Sequence, residues 1–474
     1  LSLADAGRPR KIAPMTGASE AAIVANGIGR DLVAAGPPGA IVFELRSSDL
    51  TLALSGAFPI VANYRDVTTL VVDQGRLLME IGGGAVRLLV EGLGDKLGLV
   101  VGEMRERRAR QMLHDRFVEV SSQERLELVE YRIGDEHGVA QLAYHEWGVA
   151  LLPIDERRPW RLVRRADIAA VTADGSSGSV SVATKPRPGS QTGPAIELLS
   201  LGDRVERQRQ RMAGLRDHAL GDAAALVARL MPDAPFAARQ QTSAVLVDGR
   251  PSTATELGDA WPLAERAILV DPTFAASYQA LVARGTLDGQ LPRAWIALTP
   301  RLPTVAGAPT AASTDAGESD YYSWFFVALP GNLVAFELVS EGSHATYLYR
   351  VVPRAQYRGE APTELADAVT AAVFDVSECL IDTRFLREPI YLTDSALADP
   401  KYTRYRFAIA ALPTLRAARW RFVGRLMHRD DASWSASLDD AITFNSATKD
   451  DAAVWPGGAV AATDADDAVT EEAN

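Results

Sequence analysis

Asp66-Val67-Thr68-Thr69-Leu70-Val71-Val72-Asp73-Gln74-Gly75 mixes β-branched and apolar residues and ends on an Asp/Gly turn. That is the composition of a short strand entering a hairpin. The chain then runs into Leu93-Gly94-Asp95-Lys96 and an amphipathic helical stretch. The same plan returns later. Asp167-Ile168-Ala169-Ala170-Val171-Thr172-Ala173-Asp174-Gly175 leads to Leu201-Gly202-Asp203-Arg204 and a second such stretch. The two Leu-Gly-Asp-basic turns stand 108 residues apart (93 to 201), and Met104 and Met212 keep that offset. A duplicated unit assigns much of the chain to architecture rather than to chemistry.

Working outward, unit one reads as strands at 40–45, 50–54, 59–64, 67–73, 77–81 and 86–90, punctuated by Ser55-Gly56, Asp73-Gln74-Gly75 and Gly82-Gly83-Gly84. A helix after Asp95 carries Leu97, Val100, Val101 and Met104 at i, i+3, i+4 and i+7, a stripe that must pack on something. Unit two repeats the plan with strands at 139–144, 149–153, 160–163, 168–173, 180–183 and 196–199, then a helix from Asp203 to Met231-Pro232. Lys185 to Gly193 is a Pro/Gly/Ser-rich loop where unit one has a shorter Gly turn. Residues 1–37, ahead of the first unit, hold at most one short helix, Ser19 to Leu32.

Several short strands closed by one C-terminal helix is a plan that resembles pleckstrin-homology-like domains. Tyr64-Arg65-Asp66-Val67-Thr68-Thr69-Leu70-Val71-Val72 followed by Gly75-Arg76-Leu77-Leu78-Met79-Glu80-Ile81 is similar to the mid-barrel pattern of bacterial members, and Arg165-Ala166-Asp167-Ile168-Ala169-Ala170-Val171 follows it in degenerate form. The resemblance covers residues 38–118 and 135–230. It implies two small β-barrels, each closed by a helix. Phosphoinositide-binding members carry Lys/Arg clusters in the first hairpin. Here that turn is Arg46-Ser47-Ser48-Asp49 in unit one and His145-Glu146-Trp147-Gly148 in unit two. One Arg beside an Asp does not hold a polyphosphate, so the resemblance implies a protein-contact role more than lipid binding.

From 240 the texture changes. Val245–Val247 with Asp248-Gly249 reads as a hairpin start, and 302–320 as a mobile loop of small residues. Tyr321, Tyr322, Trp324, Phe325 and Phe326 form the densest aromatic stretch. As a strand it places Tyr322, Trp324 and Phe326 on one face and Tyr321 and Phe325 on the other, so both faces must be covered. Strands at 333–339 and 346–352 follow, then a helix from Glu364 to Leu380, one from Pro413 through Met427, and a last one capped by Ser433 and ending near Ile442. Residues 449–474 hold seven acids and one Lys and read as a disordered acidic tail.

The 474 residues carry a net charge of −12, and that tail supplies −6 of it (seven acids against Lys449). An acidic body argues against a nucleic-acid partner, which needs basic surface to displace counterions. Cys379 is the only cysteine, which fits a reducing, cytoplasmic setting. No apolar run reaches the roughly 18–20 residues a bilayer span needs, and no apolar segment behind Arg8, Arg10 and Lys11 reads as a signal peptide.

Chemical motifs are sparse. The six histidines, His114, His137, His145, His218, His344 and His428, show no metal-ligand spacing; His137 and His145, among Asp135, Glu136 and Glu146, come nearest to a cluster and read instead as a polar turn flanking a strand. Cys379 as a nucleophile needs a low thiolate pKa and a base such as His344; its place late on a helix favours a buried structural thiol. Gly27-Ile28-Gly29 lacks the third glycine and the βαβ context of a dinucleotide site, and Gly175-Ser176-Ser177-Gly178 is a hairpin turn. Three Arg-rich helical sets (Arg105, Arg107, Arg108, Arg110; Arg204, Arg207, Arg209, Arg211; Arg416, Arg419, Arg421, Arg425) read as solvated faces, the first two interleaved with Glu; an anionic partner is their sharper reading.

These readings combine into an α+β chain: a segment over 1–37, pleckstrin-homology-like units at 38–120 and 130–232, a mixed α+β domain at 240–448, and the tail. The expected role is non-catalytic protein interaction or scaffolding in a bacterial cytoplasm. No catalytic, cofactor or metal residue is assigned. The alternatives are a peripheral membrane adaptor using the Arg-rich helices, and an enzyme with its site in 240–448.

Overall fold

The computed structural model describes residues 23–33, 37–121, 124–155, 158–186, 193–285, 293–301, 320–340, 345–351, 362–448 (362–367 as backbone only) and 453–458. The chain is mixed α+β with antiparallel sheets and divides into two compact units, Leu1–Met112 and Leu113–Asn474.

The first unit runs β1 (Ile23–Asp31), β2 (Gly39–Leu45), β3 (Asp49–Leu54), β4 (Ile60–Asn63), β5 (Val67–Asp73), β6 (Arg76–Ile81), β7 (Val86–Glu91) and α1 (Lys96–His114). The strands form one sheet in the order β4-β3-β2-β1-β7-β6-β5. Its two edge strands are consecutive in the chain, joined only by a 3₁₀ turn at Tyr64–Asp66. Seven flat strands would separate those edges by about 29 Å, whereas four extended residues reach at most about 14 Å. The sheet therefore curls strongly. Phe43, Leu45, Leu50, Leu77, Met79 and Val90 line its inner face, and Val100, Val101 and Met104 of α1 pack into the same core.

The helix expected over Ser19 to Leu32 is corrected: residues 23–31 are β1, the strand that pairs with both β2 and β7. Small residues hide its period of two. Ala25 and Gly29 face inward while Val24 and Ile28 face out, and a Cβ on Gly29 would press on the Ile41 side chain at 3.1 Å.

Within the second unit, residues 127–230 repeat the plan: β8 (Glu127–Ile133), β9 (Glu136–His145), β10 (Gly148–Pro153), β11 (Arg161–Arg164), β12 (Ile168–Asp174), β13 (Ser179–Thr184), β14 (Ala195–Leu199) and α2 (Val205–Leu230). The order β11-β10-β9-β8-β14-β13-β12 matches the first sheet strand for strand. A 3₁₀ turn at Arg165–Asp167 occupies the place of Tyr64–Asp66. The register shift between Ile168 and Ala170 repeats the one between Val67 and Thr69. β8, like β1, went unread in the sequence.

The chain continues through α3 (Phe236–Val245), α4 (Ala254–Leu257), α5 (Trp261–Ile268), α6 (Pro272–Gly285), β15 (Ala294–Pro300), β16 (Tyr321–Leu329), β17 (Leu333–Leu338), β18 (Ala345–Arg350), α7 (Pro362–Asp382), α8 (Glu388–Tyr391), α9 (Asp394–Leu397), α10 (Thr403–Ala411), α11 (Pro413–Arg421), β19 (Phe422–Met427) and α12 (Asp431–Ala447). Strands β15 to β19 form an antiparallel sheet in chain order. Trp324 and Phe326 join one core with α7, α10 and α11. Phe325 and Val327 join another with α5, α6 and α12. The period-two aromatic pattern had required that double cover.

Three further expectations change. Val245 ends α3 and Val247–Gly249 is a 3₁₀ turn, so no hairpin starts there. The helix opened by Pro413 stops at Arg421, and Phe422–Met427 form the edge strand β19, whose first five residues are buried. α12 begins earlier than Ser433, because the Asp430 carboxylate accepts the Ser433 amide at 2.8 Å and acts as the N-cap. In the acidic tail, residues 453–458 are ordered against the body: Trp455 is buried and its amide donates to Val423 O at 2.7 Å. Residues 302–319 of the expected mobile loop lie outside the described residues.

Candidate functional site

The two modules differ most on the outer face of their first strands. In the first, cross-strand pairing sets Val24 beside Glu44, Glu44 beside Thr51 and Thr51 beside Val61, with Val42 in the next row and Ile28 beyond. Val24, Ile28, Val42 and Val61 are all exposed, and Phe58 in the β3–β4 loop is 93 % exposed. In the second module Gln141, Ala143, Ala150 and Leu152, on the outer face of β9 and β10, are buried, whereas Leu128 and Glu130 on the outer face of β8 are exposed. Several large apolar side chains open to water on one sheet face, set among Glu44 and Thr51, carry a standing cost that a partner would relieve.

The second module is fixed to the C-terminal region by ion pairs. Arg165 meets Asp248 through two hydrogen bonds of 2.8 Å and Asp222 at 2.8 Å. Burial opposes its charge, but these carboxylates outweigh that and hold the guanidinium pKa above its ordinary value. Arg164 reaches Asp382 at 2.8 Å and Glu378 at 3.3 Å on α7. Trp147, in the β9–β10 turn, shares the core of Trp295 and Trp324.

Between these contacts lies a cavity of about 940 Å³. Ile196, Trp295, Phe374 and Ile381 supply apolar wall; Arg164, Asp167, Lys185, Arg250 and Arg293 bring charge to it. Arg250 pairs with Glu256 at 3.1 Å and Arg293 donates to Thr370 Oγ1 at 3.1 Å. Among the described residues Lys185 is placed by its backbone, its amide donating to Asp167 O at 2.7 Å, and its ammonium has no ion pair.

The residues singled out in the sequence do not converge. Cys379 is fully buried on α7, and burial raises its thiol pKa well above the ordinary value, the reverse of a nucleophile. His344 lies outside the described residues. His137 is exposed and His145 buried, and eight steps along the strand set them about 27 Å apart, so they cannot share an ion. The reading of His145 as part of a polar turn is corrected: its ring is buried, neither ring nitrogen has a partner among the described residues, and burial, then Arg384, lowers its pKa to about 3. Among the described residues no group of three His, Cys, Asp or Glu could hold a metal. Gly27-Ile28-Gly29 lies within β1, and Gly175–Gly178 turns β12 into β13 with Asp174 accepting the Ser176 amide at 2.9 Å.

The arginine sets are largely committed within the fold. Arg107 pairs with Glu103 and Arg110 with Glu106 along α1. Arg204 and Arg207 meet Glu127, Arg209 meets Glu206, and Arg211 meets Glu124 while lying over the Tyr144 ring. Arg419 holds the carbonyls of Pro389 and Leu392 at 2.8 Å and pairs with Asp394. Arg421 pairs with Asp375, and Arg425 is buried beside the Tyr347 and Tyr391 rings.

Neither the exposed face nor the cavity carried a motif. The face was written in Val24, Val42 and Val61, ordinary strand residues whose exposure depends on what covers the sheet. Lys185 opens a Pro/Gly/Ser-rich loop where the first module has a shorter Gly turn. Comparison with known proteins finds no family model that matches the chain and no curated protein similar to it.

Proposed function

We propose that the chain is a non-catalytic interaction protein built on two tandem pleckstrin-homology-like modules, one devoted to architecture and the other to a protein partner. Support for the module reading comes from the repeated order 4-3-2-1-7-6-5 with a helix after the seventh strand, and from the curl that the short β4–β5 connection demands. In this reading each sheet is a half-open barrel.

One observation carries the functional reading. The outward face over β9 and β10 is buried in the second module at Gln141, Ala143, Ala150 and Leu152, whereas the first module leaves Val24, Ile28, Val42, Val61 and Phe58 exposed. The partner it suits is a protein segment presenting a complementary apolar strip. A lipid surface is less suited, because the Arg-rich helices spend most of their charge on internal carboxylates and carbonyls. The buried lone thiol Cys379 accords with a cytoplasmic site of action.

Affinity purification of the tagged chain from its native cell, followed by mass spectrometry, tests this. A partner captured by the parent chain should be lost from the Val42→Asp/Val61→Asp variant at unchanged thermal stability. Equal capture by both chains would sink the reading.

A further inference from the structure

We infer that the 940 Å³ cavity between the second module and the C-terminal region is a binding site for an amphiphilic monocarboxylate, its carboxylate held by Lys185 and its apolar body by Trp295, Phe374 and Ile381. The volume lies in the range of small-molecule pockets, and such sites are mostly apolar with a few placed polar groups.

Charge accounting selects the ligand class. Five cations reach the cavity, and four are engaged. Arg161 pairs with Glu136 at 3.0 Å, Arg164 with Asp382 and Glu378, Arg250 with Glu256, and Arg293 bonds Thr370 and lies 5.3 Å from the Trp295 ring centroid. Lys185 is the remaining one. It has no ion pair or side-chain hydrogen bond among the described residues, although Asp167 is near enough to favour its charge. Burial nonetheless pulls its pKa down. A half-buried ammonium without a partner costs solvation that an incoming carboxylate restores through a charge-assisted hydrogen bond. With one cation free among the described residues, and Asp167 and Asp248 also on the wall, the site suits a single negative charge and rejects polyphosphates. The apolar wall suits a hydrocarbon or aromatic body.

The test is titration calorimetry of the whole chain with 2-naphthoate and with its neutral analogue 2-naphthalenemethanol. Naphthoate should bind with a stoichiometry near one. Lys185→Met should weaken it by about tenfold or more while changing the neutral analogue by less than about twofold. Lys185→Gln serves as a second charge-removing variant, and an unchanged melting temperature shows that the body is intact. No naphthoate binding at millimolar concentration overturns the proposal. So does equal binding by the parent and Lys185→Met chains, which would place the probe elsewhere, for example on the apolar face of the first module. Neither result bears on the protein-interaction reading, which Lys185 does not enter.

Discussion

Arg165 Nε and Nη2 each donate a 2.8 Å hydrogen bond to the Asp248 carboxylate, joining the 3₁₀ turn of the second module to the turn after α3. In the first module the same place is Tyr64, whose hydroxyl donates to Arg46 O at 2.6 Å and whose contacts stay within its own module. One position of the duplicated plan thus closes on itself in one copy and reaches outward in the other. Asp248→Asn keeps the shape, tolerates the left-handed φ of 46°, and leaves Arg165 buried with only Asp222. Breaking a buried pair costs about 3–5 kcal/mol; the surviving Asp222 contact places the expected loss at about 3 kcal/mol. All eight tryptophans lie between 147 and 455, so urea unfolding followed by intrinsic fluorescence reports on this unit. A midpoint unchanged from the parent would refute the assignment.

His145 makes the second unit sensitive to acid. Its folded pKa, about 3, lies below its ordinary 6.5 because burial disfavours the charged ring. Between those values the unfolded chain binds the extra proton, so stability rises with pH and is lost as pH falls from 6.5 toward 3. At pH 5 the loss is roughly 2 kcal/mol, from 1.5 units at about 1.36 kcal/mol each. Replacing the ring in His145→Phe should flatten that part of the fluorescence-monitored stability profile. An equally steep profile in the variant would remove His145 as the cause.

Much of this fold was legible because its strands obey period two and its turns carry Gly and Asp. The six strands expected in each module fall within a few residues of β2–β7 and β9–β14, and the aromatic run 321–326 showed a sheet covered on both faces. The first strand of each module was missed. β1 is built from Ala25, Gly27 and Gly29, which signal nothing by propensity, and β8 was overlooked although Val129 and Tyr131 point inward. Val423 and Met427 fall on a helical continuation of Leu415 and Trp420, so only the neighbouring strand β18 reveals that they are β. The site was least legible. Whether Val61 is open or Lys185 unpaired is settled by residues far away in sequence, which periodicity does not register.

Gly249 marks a tight passage. Its φ is +78°, and a Cβ there would stand 2.4 Å from Trp324 Cη2 and 2.9 Å from Cζ2, both ring atoms in a packed core. Gly249→Ala should therefore cost more than about 2 kcal/mol, combining left-handed strain with overpacking. Gly83→Ala, at φ +67° with nothing within 4 Å, should cost only about 1 kcal/mol. Differential scanning calorimetry of both variants checks the ordering, and equal losses would contradict it.

The arginine helices should not draw the chain to anionic lipid. Glu103, Glu106, Glu124, Glu127 and Glu206 already meet their arginines in the first two sets, and an exposed pair has little attraction left for a headgroup. Vesicles of phosphatidylglycerol should float without the protein even at low ionic strength. Salt-sensitive co-flotation would revive a membrane role.

Trp455 ties the chain beyond α12 to the edge of the C-terminal sheet. Its amide donates to Val423 O at 2.7 Å, its Nε1 to Asp440 at 2.8 Å, and Arg350 Nη2 donates to Ala453 O at 2.9 Å. The segment thereby occupies a backbone acceptor, Val423 O, that an edge strand would otherwise leave open to pairing with another chain. Trp455→Ala removes the anchor and should cost about 3–5 kcal/mol, the range for truncating a buried aromatic. Trp455→Phe, which keeps most of the packing and loses the Asp440 bond, should cost closer to about 1 kcal/mol. Ending the chain at 448 should match Trp455→Ala and raise amide exchange along Phe422–Met427, whereas ending it at 458 should change neither. If removal of 449–474 leaves exchange in β19 as slow as in the parent, Trp455 is a passenger and the strand is protected by α12 alone.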